Sequence, residues 1–302
     1  MKALAFAALS MLALTGCQQS LREEVTPQAL AEEAQKLVVT GFVSPQDSVI
    51  SVKVSRSRTL LDAGAGSNAV ATANVTLAGP NGTVGLAFNA RLQTYQVDAR
   101  KFPIVAGNTY TLTVQTTDGQ SAKSTCTVPQ AVALNRVQLD STVAADGSRA
   151  YFARYDWQGR AEATAFYQTQ GTFQYVKKCA TCREEATAAQ KVETAPVSFG
   201  ASTQLSGWVA DEARAGALSA KGNLAASDPK ASFQSSYSRA AVQATLLHVE
   251  ETYFRYHQAV ERATAQQANP FSEPVIIPSN IQGGLGCFAA YNKAVVTVQL
   301  KK

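Results

Sequence analysis

Residues 37–56 read Leu37-Val38-Val39-Thr40-Gly41-Phe42-Val43, then Ser44-Pro45-Gln46-Asp47-Ser48, then Val49-Ile50-Ser51-Val52-Lys53-Val54-Ser55-Arg56. In the second run Ile50, Val52 and Val54 alternate with Val49, Ser51, Lys53 and Ser55. Side chains of a strand point to opposite faces in turn, so a period of two predicts a strand with one buried face. β-Like segments of the same kind follow at 73–77, 84–88, 95–98, 110–116 and 121–128. They are separated by Gly79-Pro80-Asn81-Gly82, Ala106-Gly107-Asn108 and Asp118-Gly119, which suit tight antiparallel turns.

About seven short strands at this spacing predict an immunoglobulin-like or transthyretin-like β-sandwich over residues 37–130, ending at Pro129. Residues 131–302 predict a second β-rich domain, so the fold class is mainly β. Strands are expected at 134–139, 150–157, 164–168, 172–176 and 241–249, with a turn at Asp146-Gly147. The polar stretch 177–193, residues 197–205 and the small-residue region 210–229 predict long loops. Tyr253, Tyr256, Val260 and Ala263 recur at three and four residues, which predicts a helix near 250–267 packed on a sheet. Asn269-Pro270 ends it, and a last strand is expected at 289–300.

Upstream of the sandwich, Lys2 and the apolar run 3–14 predict a secretory signal at residues 1–16, too short to remain as a membrane helix. Leu14-Thr15-Gly16-Cys17 resembles the lipobox of bacterial lipoproteins, whose cysteine becomes the acylated first residue. Several acyl chains, each contributing about 0.8 kcal/mol per buried methylene, hold a protein on a bilayer where one chain would not. Residues 17–36, with Glu23-Glu24 and Glu32-Glu33, read as the lipidated cysteine and its tether. Gln18 is not the aspartate that retains enterobacterial lipoproteins in the inner membrane, so the expected destination is the outer membrane, on either face.

Only 16% of the 302 residues are charged and the net charge is +5, with lysines and arginines scattered rather than striped. That argues against nucleic acid as a partner. Cys179-Ala180-Thr181-Cys182 is the most chemical motif present. It reads as a small disulfide loop, a redox dithiol or half a zinc site, and zinc would need a second such pair or paired histidines. The two histidines, His248 and His257, stand across a strand–helix boundary. Cys126 and Cys287 can in principle bridge the two units. Gly283-Gly284-Leu285-Gly286 precedes a strand, not a helix, so it reads as a turn and not a phosphate loop. Glu250-Glu251 are expected to decorate the first turn of the helix. Tyr151, Tyr155, Trp157 and Trp208 are core residues or platforms for a sugar ring. No catalytic constellation, metal site or cofactor is expected.

Three stretches together resemble the lipoprotein family known as domain of unknown function 4249. They are Lys36-Leu37-Val38-Val39-Thr40-Gly41; Gly107 to Val114 with Asp118-Gly119 and Val128-Pro129; and Asn269-Pro270-Phe271-Ser272-Glu273-Pro274 followed by Ser279-Asn280-Ile281-Gln282-Gly283-Gly284-Leu285-Gly286-Cys287-Phe288. The resemblance implies lipid anchoring in the Gram-negative envelope and an accessory role beside a TonB-dependent outer-membrane receptor in nutrient uptake. It supplies no catalytic residue. The alternatives are a glycan-binding or adhesive surface module, and a thiol oxidoreductase using Cys179 and Cys182. The sequence does not decide the oligomeric state.

Overall fold

The alternation at 37–56 becomes two antiparallel strands, β1 (Leu37–Val43) and β2 (Val49–Arg56), paired from Leu37 with Arg56 to Phe42 with Ser51. Leu37, Val39 and Val43 face inward with Ile50, Val52 and Val54, each side chain contributing roughly 1.5–3 kcal/mol by its burial. The structure, a computed structural model, describes residues 36–58, 67–160, 164–178, 191–199, 207–211, 216–224, 230, 232–266 and 273–299.

β5 (Thr94–Asp98) adds to β2. β4 (Gly82–Asn89) then turns the corner between layers: Ala87 to Asn89 pair with β5, while Gly82 to Leu86 pair with β3 (Asn74–Gly79). β6 (Thr109–Gln115) and β7 (Ser121–Thr127) complete the second layer. Leu77, Tyr110, Leu112 and Val114 from this layer meet Val39, Val52 and Val54 from the other in one core. The expected sandwich is present, and its strands fall within two residues of the segments read from the sequence.

A second core lies between a three-stranded sheet of β8 (Leu134–Val143), β9 (Arg149–Gln158) and β13 (Ala217–Leu224), and the long pair β10 (Ala165–Lys177) and β14 (Tyr237–Val249). β11 (Glu193–Pro196) and β12 (Gly207–Asp211) both pair with β10. Two expectations are corrected here. The segments at 164–168 and 172–176 are one strand, carried through Gly171 by unbroken pairing with β14 and by the Tyr155 hydroxyl, which donates to the Gln170 carbonyl at 3.2 Å. The supposed loop region 210–229 contains β13. Its small, polar residues conceal a strand because it lies on a sheet edge and needs only a narrow buried face against β9.

The last strand, β15 (Gly284–Gln299), begins five residues before its expected start and belongs to both halves. Its first half runs parallel to β1, from Leu37 with Gly284 to Val43 with Ala290; its second half runs antiparallel to β14, from Val249 with Tyr291 to Ala241 with Gln299. Phe288 and Ala290 therefore enter the first core, while Ala294 and Val296 pack on the second. The result is one sheet continuous from β11 to β7.

The Ser279 to Phe288 signature seals the sandwich where β7 would leave an open edge. Lys123 and Gln282 exchange two backbone hydrogen bonds at 2.9 Å, and the Ser124 hydroxyl donates to the Asn280 carbonyl at 2.9 Å. The Asn280 side chain imitates a strand residue: its amide donates to the Phe288 carbonyl at 2.7 Å, and its oxygen accepts from the Phe288 N–H at 2.9 Å. Gly283 makes the turn with a φ of +78°, close against the Ser121 carbonyl. The turn reading of the glycine segment holds for Gly283, whereas Gly284 to Gly286 are already strand.

Two helices lie among the described residues. α1 (Phe233–Ser236) is a single turn capped by Ser232. α2 (Glu251–Gln266) is the expected helix and covers the outer face of β14 and β15. Of the predicted stripe only Tyr253 is fully buried. The helix rolls toward Phe254, whose ring meets Phe166 at 4.8 Å and Trp208 at 5.4 Å. No helix among the described residues is long and apolar enough to cross a membrane.

Candidate functional site

The chain passes from one core to the other through Thr127-Val128-Pro129-Gln130, and side chains of the second half grip this crossing. Glu250, between β14 and α2, accepts from the Thr127 N–H at 2.5 Å with Oε1 and from the Ala290 N–H at 2.7 Å with Oε2. The Asn292 amide donates to the Pro129 carbonyl at 2.9 Å. His248 Nδ1 lies 2.7 Å from the Gln130 carbonyl, an acceptor only, which places the ring proton on Nδ1. Gln46 extends the network, donating to Asn292 Oδ1 at 2.8 Å and accepting from the Lys293 N–H at 3.0 Å. The Tyr291 hydroxyl donates to Asp47 at 2.9 Å.

Burial pushes the Glu250 carboxyl up to about 7, against the two backbone donors that pull it down. Burial also lowers His248, with the Gln130 carbonyl opposing. Of the two acidic residues expected on the helix, only Glu251 decorates its first turn, pairing with Arg255 one turn on. The Glu250 side chain points inward instead. Cys126 and Cys287 are buried free thiols, which corrects the idea of a bridge between them: Cys126 packs in the first core and Cys287 beneath α2. Burial, with the Glu250 charge beside them, raises both, Cys287 to about 12, so they stay protonated and unreactive.

Beneath α2 lies an aromatic cage around His257. Its ring is 4.3 Å from Tyr253, 4.8 Å from Phe42, 5.5 Å from Tyr256 and 6.2 Å from Trp208 between centroids. Nε2 is buried without a partner, and burial depresses the imidazole to about 4. The fold therefore favours the neutral ring. That contribution is complete above the ordinary histidine value and is lost as pH falls from about 6.5 toward 4. At full value it is about 3 kcal/mol, reduced to about 2 kcal/mol by residual solvent screening. In thermal unfolding, the stability difference between wild type and His257→Phe, which keeps the cage filled, is expected to shift by about 2 kcal/mol against wild type as pH falls from 6.5 to 4.5; a difference that stays constant over that range would contradict it.

The four aromatic residues singled out for stacking separate sharply. Tyr155 and Trp157 are 0% and 1% exposed, and Tyr151 is buried with its hydroxyl accepting from the Phe233 N–H at 2.8 Å. These three fill the second core and present no ring to solvent, which corrects their candidacy as ligand contacts. Trp208 alone borders open space. It is half-buried on β12 and its indole N–H donates to Glu261 at 2.7 Å. It lines a cleft of about 380 Å³ with Phe199, Val209, Ser219, Lys221 and Gln258. Larger, shallower depressions lie at the end of the first core, bordered by Asp47, Asp98 and Arg100, and on the sheet face bearing Gln170, Thr172, Gln243 and Thr245. Cys17, Cys179 and Cys182 lie outside the described residues.

Residues 22–296 match the family described as "Domain of unknown function (DUF4249)". The chain belongs to this family. The DUF4249 match covers both cores and the strand that joins them, so the family unit is the two-core body and not either half. Among curated proteins none matches the chain. Within this DUF4249 body sequence reasoning named Glu250 and His257 but missed what they do, the first gripping the crossing between the cores and the second filling the aromatic cage. Neither sits in a recognisable motif; each is defined by chain segments that meet only after folding.

Proposed function

We propose that this DUF4249 protein is an acyl-anchored binding protein of the outer membrane that assists a TonB-dependent receptor in nutrient uptake. The observation that carries the anchor is Leu14-Thr15-Gly16-Cys17 directly after the apolar run 3–14. Residues 18–36 can carry the body at most about 65 Å from the lipid, the reach of a fully extended chain of that length. The receptor association rests on the resemblance in the Asn269 to Phe288 signature. A mainly β body with two fused cores and surface depressions suits a binding role.

Two measurements test the parts separately. Labelled palmitate is expected to enter the wild-type chain and not Cys17→Ala; equal labelling of both would refute the anchor. Crosslinking in intact cells followed by affinity purification is expected to recover a TonB-dependent receptor with the tagged protein, and recovery no greater than from an unrelated tagged lipoprotein would refute the accessory role.

A further inference from the structure

We propose that the cleft beside Trp208 is a carbohydrate subsite that holds a single neutral sugar ring. The inference rests on reading the chain as a binding protein and not on the anchor or the receptor.

The cleft opens where β12, the edge of the large sheet, comes alongside β13, the edge of the small one, with α2 closing a third side through Gln258. Its volume of about 380 Å³ is near the lower end of the roughly 300–1,000 Å³ usual for small-molecule sites, room for one ring and not for an extended chain. Two aromatic residues, Trp208 and Phe199, supply apolar surface to receive the C–H face of a pyranose. Ser219, Gln258 and Lys221 on its wall carry donors and acceptors of the kind that bind hydroxyl groups.

The indole is held in place before any ligand arrives. Glu261 fixes its N–H, Phe254 meets it edge-on at 87°, and His257 stacks against it at 22°. Lys221 borders the cleft with its ammonium resting over the neighbouring Phe152 ring, 3.7 Å from its centre, from which it reaches a ligand by turning about its side chain. A platform fixed in advance reduces the ordering cost of binding. A neutral sugar fits better than an apolar ligand, because polar groups line the cleft beside the two rings. It also fits better than a strongly anionic ligand, because Lys221 is the one cation among the described lining residues.

The chain has two tryptophans, so intrinsic fluorescence reads the site. Trp157 is buried in the second core, and Trp157→Phe leaves Trp208 as the sole reporter. A single ring held by one stacking face and a few hydrogen bonds binds at about millimolar strength, so titrations of the full-length Trp157→Phe protein with methyl glucoside, methyl galactoside, N-acetylglucosamine and methyl mannoside run to about 50 mM. At least one sugar is expected to give a saturable change in Trp208 emission. Gln258→Ala and Lys221→Ala, both at the rim, are expected to weaken it at least about fivefold, Gln258→Ala with an unchanged melting temperature. Trp208→Ala in the otherwise native chain, followed by ligand-observed NMR, is expected to abolish binding. No saturable response to any of the four sugars would overturn the proposal, as would binding that both rim variants retain at wild-type strength. Receptor recovery by crosslinking does not depend on these variants, so failure here and failure of the accessory role are read separately.

Discussion

Replacing Gly286 by alanine is expected to lower the unfolding free energy by about 4 kcal/mol, a left-handed backbone penalty of about 1–3 kcal/mol added to a steric clash with main chain. Gly286 has a φ of +114° inside β15. A Cβ there would fall on the Val39 carbonyl oxygen and lie 2.9 Å from the Val39 carbonyl carbon. Neither side can yield cheaply. Val39 is paired with Val54 on one side and with Gly286 on the other, and its own side chain is 1% exposed in the first core. Gly85→Ala is the matched control, since a Cβ at that position meets nothing within 4 Å. Urea denaturation is expected to show a large drop in midpoint for the first variant and a small change for the second. The loss should register at Trp157, in the second core, as well as in the first, because β15 supplies residues to both. A Gly286→Ala protein as stable as Gly85→Ala would show that the register between β1 and β15 is wrong.

That coupling through β15 marks the boundary between what the sequence made legible and what it did not. The period-two runs of β1, β2 and β5 to β7 are local signals, because each strand carries its own buried face. β13 carried little such signal. An edge strand of small residues such as Ala217-Leu218-Ser219-Ala220 can lie on β9 without a strong apolar stripe, and its composition reads as loop. The sharing of β15 had no local signal at all, since parallel pairing with β1 joins residues more than two hundred positions apart. The signature Ser279 to Phe288 was visible as a pattern, and its physical content emerges only in three dimensions: Asn280 stands in for backbone, and Gly283 and Gly286 make room for Ser121 and Val39. For the site the same distinction holds. Trp157 falls in an expected strand and Trp208 between two expected loops, yet neither position tells which ring is covered; what separates them is that β12 lies at an edge while β9 lies between two neighbours.

Glu250 offers the sharpest test of how the two halves are joined. Glu250→Ala strips the acceptor from the Thr127 and Ala290 N–H groups together; water can reach the exposed Thr127, while the buried Ala290 donor is left unsatisfied at a cost of about 1–3 kcal/mol, so a loss of about 2 kcal/mol is expected. Glu250→Gln keeps one acceptor oxygen and removes the titration. In the wild-type protein the folded carboxyl sits above its ordinary value of 4.5, at about 7. Its contribution is therefore complete below pH 4.5 and is lost as pH rises through 7, by up to about 3 kcal/mol. The penalty for Glu250→Gln should accordingly be largest near pH 5 and shrink by pH 8. His257 acts in the opposite direction over an overlapping range, losing its contribution as pH falls from about 6.5 toward 4. In the wild-type protein the two slopes offset one another between pH 4.5 and 6.5, which hides both. Each variant should expose the slope the other residue carries: Glu250→Gln a protein that weakens in acid, His257→Phe one that weakens as pH rises through 7. Parallel stability curves for wild type and Glu250→Gln from pH 5 to 8 would show that the carboxyl is already ionised throughout, with the two backbone donors outweighing burial.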